Sequence, residues 1–147
     1  MSKVIKLGIC LNPGDIIEKK DFIMVEKGKG IKNDRFFSNE NDERSQITLI
    51  EKENIDYFNK ILSTEIPYEN FRRNIITEGV KLNDLIGKHL KIGTSVLKAH
   101  DLCQPCKHLQ DKLNQKNLVK NLVNKGGLRC EILTTGKISI GDSITYD

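Results

Sequence analysis

The sequence has no tryptophan, and Phe and Tyr make up only 5% of its 147 residues. Little is available for bases to stack on, and the 24 Lys and Arg residues are spread among 20 acids instead of gathering in a stripe. Both facts argue against nucleic acid as a partner. No apolar run approaches the roughly 20 residues that cross a bilayer, and the start, Met1-Ser2-Lys3-Val4-Ile5-Lys6, lacks the apolar segment of a signal peptide. The expectation is a cytoplasmic chain with no membrane partner. Proline-rich linkers, low-complexity tracts and repeats are also missing, so residues 1–147 read as one domain. Cysteine is scarce too. In a reducing compartment Cys10, Cys103, Cys106 and Cys130 are free thiols and need an explanation other than disulfides.

What is present fits a folded globular domain, with 37% hydrophobic and 30% charged residues. Short β-branched segments at residues 4–11, 22–25, 47–50, 71–76, 96–99 and 130–133 read as strands separated by Gly, Asn or Asp. Leu90-Lys91-Ile92-Gly93-Thr94-Ser95-Val96 and Ile138-Ser139-Ile140-Gly141-Asp142-Ser143-Ile144 share the syntax of a hairpin or barrel corner. Residues 51–62 carry Ile55, Phe58 and Leu62 at helical spacing. Residues 109–124 repeat that pattern before Gly126-Gly127, a helix stop, and residues 82–86 suggest one short turn. The strands do not alternate with helices as βαβ units. The expected fold is therefore mostly β, an antiparallel barrel with two or three interspersed helices.

The densest chemistry lies in His100-Asp101-Leu102-Cys103-Gln104-Pro105-Cys106-Lys107-His108. His100, Cys103, Cys106 and His108 could hold zinc, although all four fall within nine residues and structural zinc usually draws on two separated pairs. Cys103 and Cys106 could instead be a thiol-redox pair, but such a pair belongs in a βαβ setting that this pattern lacks. A single thiolate acting as soft-metal ligand or sulfur carrier is the third reading, with Lys107 and His108 close enough to favour its charged form. Cys10 and Cys130, inside apolar strands, read as buried packing residues. In Phe71-Arg72-Arg73-Asn74 the adjacent arginines suit phosphate, but on a strand they face opposite ways and at most one reaches a given pocket. Gly30-Ile31-Lys32-Asn33-Asp34-Arg35 marks a loop.

Together these segments resemble the MOSC domain, found at the C-terminus of molybdenum cofactor sulfurases and as small stand-alone bacterial proteins. The resemblance rests on the Gly-x-x-x-Asp-Arg loop at Gly30 to Arg35, on Ser45-Gln46-Ile47-Thr48-Leu49-Ile50-Glu51, and on Phe71-Arg72-Arg73-Asn74-Ile75-Ile76-Thr77-Glu78-Gly79. It continues through Leu82 to Gly87, Leu90 to Gly93, Cys103 to Leu109, Gly127 to Leu133 and Gly136 to Asp142. It implies a β-barrel that binds molybdenum cofactor or carries sulfur as a cysteine persulfide. Cys106 is then the first choice for the reactive thiol and metal ligand, with Cys103 second. Arg35, Arg72, Arg73 and Asn74 would hold the cofactor's phosphate.

The resemblance further implies partners: a cysteine desulfurase or other sulfur donor, and a molybdenum enzyme or redox protein. A full sulfurase carries a pyridoxal-phosphate domain for which 147 residues leave no room, so no pyridoxal phosphate and no desulfurase activity are expected here. Molybdenum-dependent reduction of N-hydroxylated compounds is an enzymatic alternative at the same residues. A structural zinc or thiol-redox module at Cys103 and Cys106 is a second. One departure stands out, because Asn33 occupies a place where the family often has glycine before the aspartate.

Overall fold

The computed structural model describes residues 2–103, 111 and 124–147. Short segments, the longer of them β-branched with alternating burial, form eleven strands among the described residues: β1 (Lys3–Ile9), β2 (Glu18–Lys20), β3 (Phe22–Glu26), β4 (Gly30–Ile31), β5 (Ile47–Glu51), β6 (Ile75–Glu78), β7 (His89–Ile92), β8 (Ser95–Leu102), β9 (Leu128–Ile132), β10 (Gly136–Ser139) and β11 (Ile144–Tyr146). Eight of them form one sheet in the order β11-β7-β8-β9-β5-β6-β1-β2, and β10-β3-β4 form a second. The large sheet curls until its ends approach. Lys3 bridges Ser143, the Val4 N–H donates to the Asp142 carbonyl at 2.9 Å, and the Gly141 N–H donates to the Val4 carbonyl at 2.8 Å. The result is a half-closed barrel, mostly antiparallel, as the pattern of short strands implied.

Inward side chains fill the barrel, among them Val4, Leu7, Ile47, Leu49, Ile75, Leu97, Leu128, Cys130 and Ile132. Helix α1 (Lys52–Leu62) lays Ile55 and Phe58 on the outer face of the sheet, where they meet Ile50, Ile76 and Phe71 in a second cluster. The Phe58 and Phe71 rings meet edge to face, with centroids 5.7 Å apart. Short 3-10 turns run over Tyr68–Phe71 and Leu82–Leu85.

Two expectations change. First, β5-α1-β6 is a parallel crossover, the βαβ connection that the strand pattern argued against, although among the described residues it occurs once and not as a repeating unit. Second, residues 71–74 are not strand. Phe71 closes the 3-10 turn and Arg72 follows in the left-handed region at φ 63°, so β6 starts only at Ile75. The two Gly-centred echoes take one each of the two forms expected of them. Gly93 turns the β7–β8 hairpin, whereas Gly141 lies between strands that pair elsewhere, β10 with β3 and β11 with β7, and so marks a barrel corner. The second predicted helix falls largely outside the described residues.

Candidate functional site

Where β1 ends, β5 and β6 begin and β8 runs beside β9, the chain leaves a cavity of about 210 Å³. Its wall includes Cys10, Asp34, Arg35, Arg44, Thr48, Arg72, Arg73, Asn74, Cys103 and Arg129. Among the described residues, five guanidinium groups and one carboxylate give it a positive lining. Among the described residues only Arg44 of the five has an ion-pair partner, Asp101 at 3.9 Å. Guanidinium groups without carboxylate partners retain N–H donors for an incoming anion.

Asp34 builds one wall. Its buried carboxylate accepts the Cys10 N–H at 2.9 Å and the Phe36 N–H at 3.2 Å, while the Arg35 N–H donates to the Cys10 carbonyl at 2.7 Å. The Gly30 to Arg35 loop is thereby tied to the end of β1, and the Arg35 guanidinium lies 4.5 Å from the centre of the exposed Phe36 ring. Asn33 sits at φ 71°, so it adopts the left-handed conformation that glycine would otherwise provide. Asparagine is among the few other residues that tolerate it.

The opposite wall comes from residues 72–74. Because Arg72 takes the left-handed conformation ahead of β6, strand alternation does not separate it from Arg73, and both arginines line the cavity. The expectation that at most one would reach it fails for this reason. Arg72 donates from Nη1 to the Asp15 carbonyl at 2.8 Å and from Nη2 to the Cys10 sulfur at 3.5 Å. Arg73 donates from Nε to the Gly126 carbonyl at 2.9 Å. The Asn74 amide knits the strands together. Its Oδ1 accepts from the N–H and hydroxyl of Thr48 at 3.0 and 3.1 Å, and its Nδ2 donates to the Gly8 carbonyl at 3.1 Å.

Cys103 follows β8, is buried, and donates its backbone N–H to the Gly127 carbonyl at 2.7 Å. Arg35, Arg72, Arg73, Asn74 and Cys103 thus share one cavity. Cys106, like Gln104, Pro105, Lys107 and His108, lies outside the described residues. Of the proposed zinc quartet, His100 is hydrogen-bonded through Nε2 to Glu131 at 2.9 Å. Cys130 sits in the core, where burial first, then the nearby Cys103 and Asp101, pushes its thiol far above the ordinary range.

Sequence reasoning missed Arg44, Arg129 and Cys10. The two arginines gave no local signal, since each reaches the cavity only through pairing of distant segments. The apolar strand around Cys10 points only to packing. The residue is buried, yet it lines the cavity and its thiol donates to the Asn12 carbonyl at 2.9 Å.

The MOSC domain family model matches residues 33–145 of this chain. The chain belongs to the MOSC domain family. This MOSC domain superimposes on the crystal structure of the YuaD protein from Bacillus subtilis with a TM-score of 0.84 at 18% identity, over 99% of this chain and 96% of that one. YiiM from Geobacillus stearothermophilus gives 0.81 at 17% identity, over 100% and 75% of the two chains. YiiM from Escherichia coli gives 0.72 at 15%, over 99% and 69%. No curated protein sequence matches this MOSC domain at a significant level. At such identities the neighbours speak for the fold. No helix among the described residues is long and apolar enough to cross a membrane.

Proposed function

We propose that this MOSC domain binds the anionic end of a molybdenum-pterin cofactor in the arginine cavity and presents a thiolate from the Cys103 to Cys106 segment to it, as metal ligand or as sulfur carrier. The supporting observation is the convergence of Arg35, Arg72, Arg73 and Arg129 on the cavity that Cys103 lines. The residues suit the group, because guanidinium forks match phosphate oxygens and a thiolate suits a soft, redox-active metal. Bound molybdenum would supply two-electron redox chemistry or a site for sulfur transfer. The chain's own part is to neutralise the phosphate with Arg35, Arg72 and Arg73, to hold Arg72 through its Asp15 and Cys10 contacts and Arg73 through its Gly126 contact, and to keep the thiol beside them. Sulfur would arrive from a cysteine desulfurase or similar donor, and electrons or the sulfur acceptor from a separate molybdenum or redox protein.

The test is metal and pterin analysis of protein purified from a molybdenum-replete host, with intact-mass measurement of the cysteine-bearing peptides. Molybdenum with pterin, or one added sulfur on Cys106 or Cys103, is expected, and each should diminish in the R72A/R73A and cysteine-to-alanine variants. Stoichiometric zinc bound through Cys103 and Cys106, with neither molybdenum nor persulfide, would replace this reading with the structural zinc one.

A further inference from the structure

Outside the cavity, the outer faces of β8 and β9 bring three metal-ligating side chains together. His100 Nε2, one carboxylate oxygen of Glu131 and one of Glu43 all lie within 4.8 Å of one another. His100 owes its place to a bulge. Ala99 pairs with Cys130 and Asp101 with Arg129, so His100 is the extra residue between them, a device that re-aims a side chain. Its Nε2 is 2.9 Å from Glu131 and 4.0 Å from Glu43.

One imidazole nitrogen has a single proton or a single lone pair, so it cannot satisfy both carboxylates. The adjacent cations do not help. Arg44, next to Glu43, pairs with Asp101, and among the described residues no lysine or arginine bridges Glu43 or Glu131, although Lys98 is the cross-strand neighbour of Glu131. Two carboxylates therefore face one imidazole beside an open recess of about 490 Å³ that Glu43 and Glu131 help to line.

We propose that Glu43, His100 and Glu131 bind a divalent metal ion of the zinc type. Imidazole and carboxylate oxygen are ordinary zinc ligands at about 2.0–2.2 Å, which sets donor atoms about 3.4 Å apart in a tetrahedron. His100 and Glu131 are already closer than that, and Glu43, with 56% of its side chain exposed, is free to rotate inward. The Nδ1–H tautomer of His100 leaves Nε2 for the metal, and water from the recess completes the shell. The ion fastens the loop carrying Glu43, Arg44 and Ser45 to β8 and β9. Arg44 and Ser45 also line the arginine cavity, so the metal steadies one of its walls without entering it.

The experiment is titration of chelator-treated, full-length protein with Zn²⁺ and with Co²⁺ as a spectroscopic probe, alongside thermal unfolding. One equivalent should bind, the melting temperature should rise, and Co²⁺ should lack the intense near-ultraviolet absorption of thiolate ligation. H100A should abolish binding and E131Q should weaken it at least about tenfold, while a C103S/C106S variant keeps it. Circular dichroism checks that the variants fold, and E43Q, on an exposed loop, offers a ligand change that leaves the sheet intact. No binding at all, unchanged binding in H100A and E43Q, or loss in C103S/C106S would overturn the proposal. Of these results only loss in C103S/C106S, which would place the ion on the cysteines, bears on the proposed function; the others leave the arginine cavity's ligand untouched.

Discussion

The backbone N–H of Cys103 donates to the carbonyl of Gly127 at 2.7 Å, and one residue earlier the Gly126 carbonyl accepts from Arg73 at 2.9 Å. Two consecutive glycines thus hold a thiol and a guanidinium of one cavity. Gly127 has φ 101°, and a Cβ there would run into the Leu49 carbonyl in the middle of the sheet. Gly127→Ala should cost roughly 3 kcal/mol. Urea unfolding measures this, and a loss below 1 kcal/mol would show that the backbone approach is looser than described.

Arg72 and Arg73 each offer charge-assisted donors to an anion. Losing either should weaken inorganic phosphate binding about tenfold, the equivalent of one such hydrogen bond. Calorimetric titration of R72A and R73A at low and at physiological salt checks this. Equal affinity in wild type and both variants would remove the cavity as an anion site.

Arg72 also allows a conformational test. At φ 63° any Cβ is strained, so R72G should be more stable than R72A by about 1 kcal/mol although glycine is the more flexible residue. Both variants lose the contacts to Asp15 and Cys10 equally, which leaves backbone strain as the difference between their denaturation midpoints.

Glu51 has its carboxyl pKa raised, by burial first and by Glu53 second. The folded state therefore holds its proton more tightly than the unfolded chain does. Stability from this group is full below about the unfolded value of 4.5 and declines as pH rises through the higher folded value. Glu51→Gln should stabilise the protein at pH 7 by about 0.5 kcal/mol, the scale of substitutions at half-exposed positions. The gain should fade below pH 4.5. A gain that instead grows on acidification would reverse the assigned sign.

Cys130 has no exposed surface, and its thiol is held protonated by burial. Disulfide-exchange reagents at pH 8 should leave it unmodified in the native protein and reach it only in denaturant. Mass mapping of labelled peptides reads this directly, and rapid native labelling of Cys130 would contradict its core placement.

The barrel was legible in the sequence because alternation and β-branching act within a few residues. Val4 to Ile9, Ile47 to Ile50 and Cys130 to Ile132 each declare a buried face locally. Arg35, Arg72, Arg73 and Asn74 were singled out from resemblance, and their placement around one cavity depends on pairings such as Leu7 with Ile75 that no local pattern encodes. The left-handed turn at Arg72 escaped because arginine carries no signal for it. The bulge at His100 escaped for a similar reason: an extra residue shows only against the partner strand, here the register of Ala99 and Asp101 on Cys130 and Arg129.

The match to the family begins at residue 33, but the barrel does not. β1 lies between β6 and β2, its first residues close the sheet against Asp142 and Ser143, and Cys10 just beyond it carries Asp34 and Arg35. A chain trimmed to residues 33–145 would leave β6 with a bare edge and the cavity without one side. For expression, grafting or fusion, the unit to move is set by hydrogen-bond closure, and it starts some thirty residues ahead of the recognisable signature.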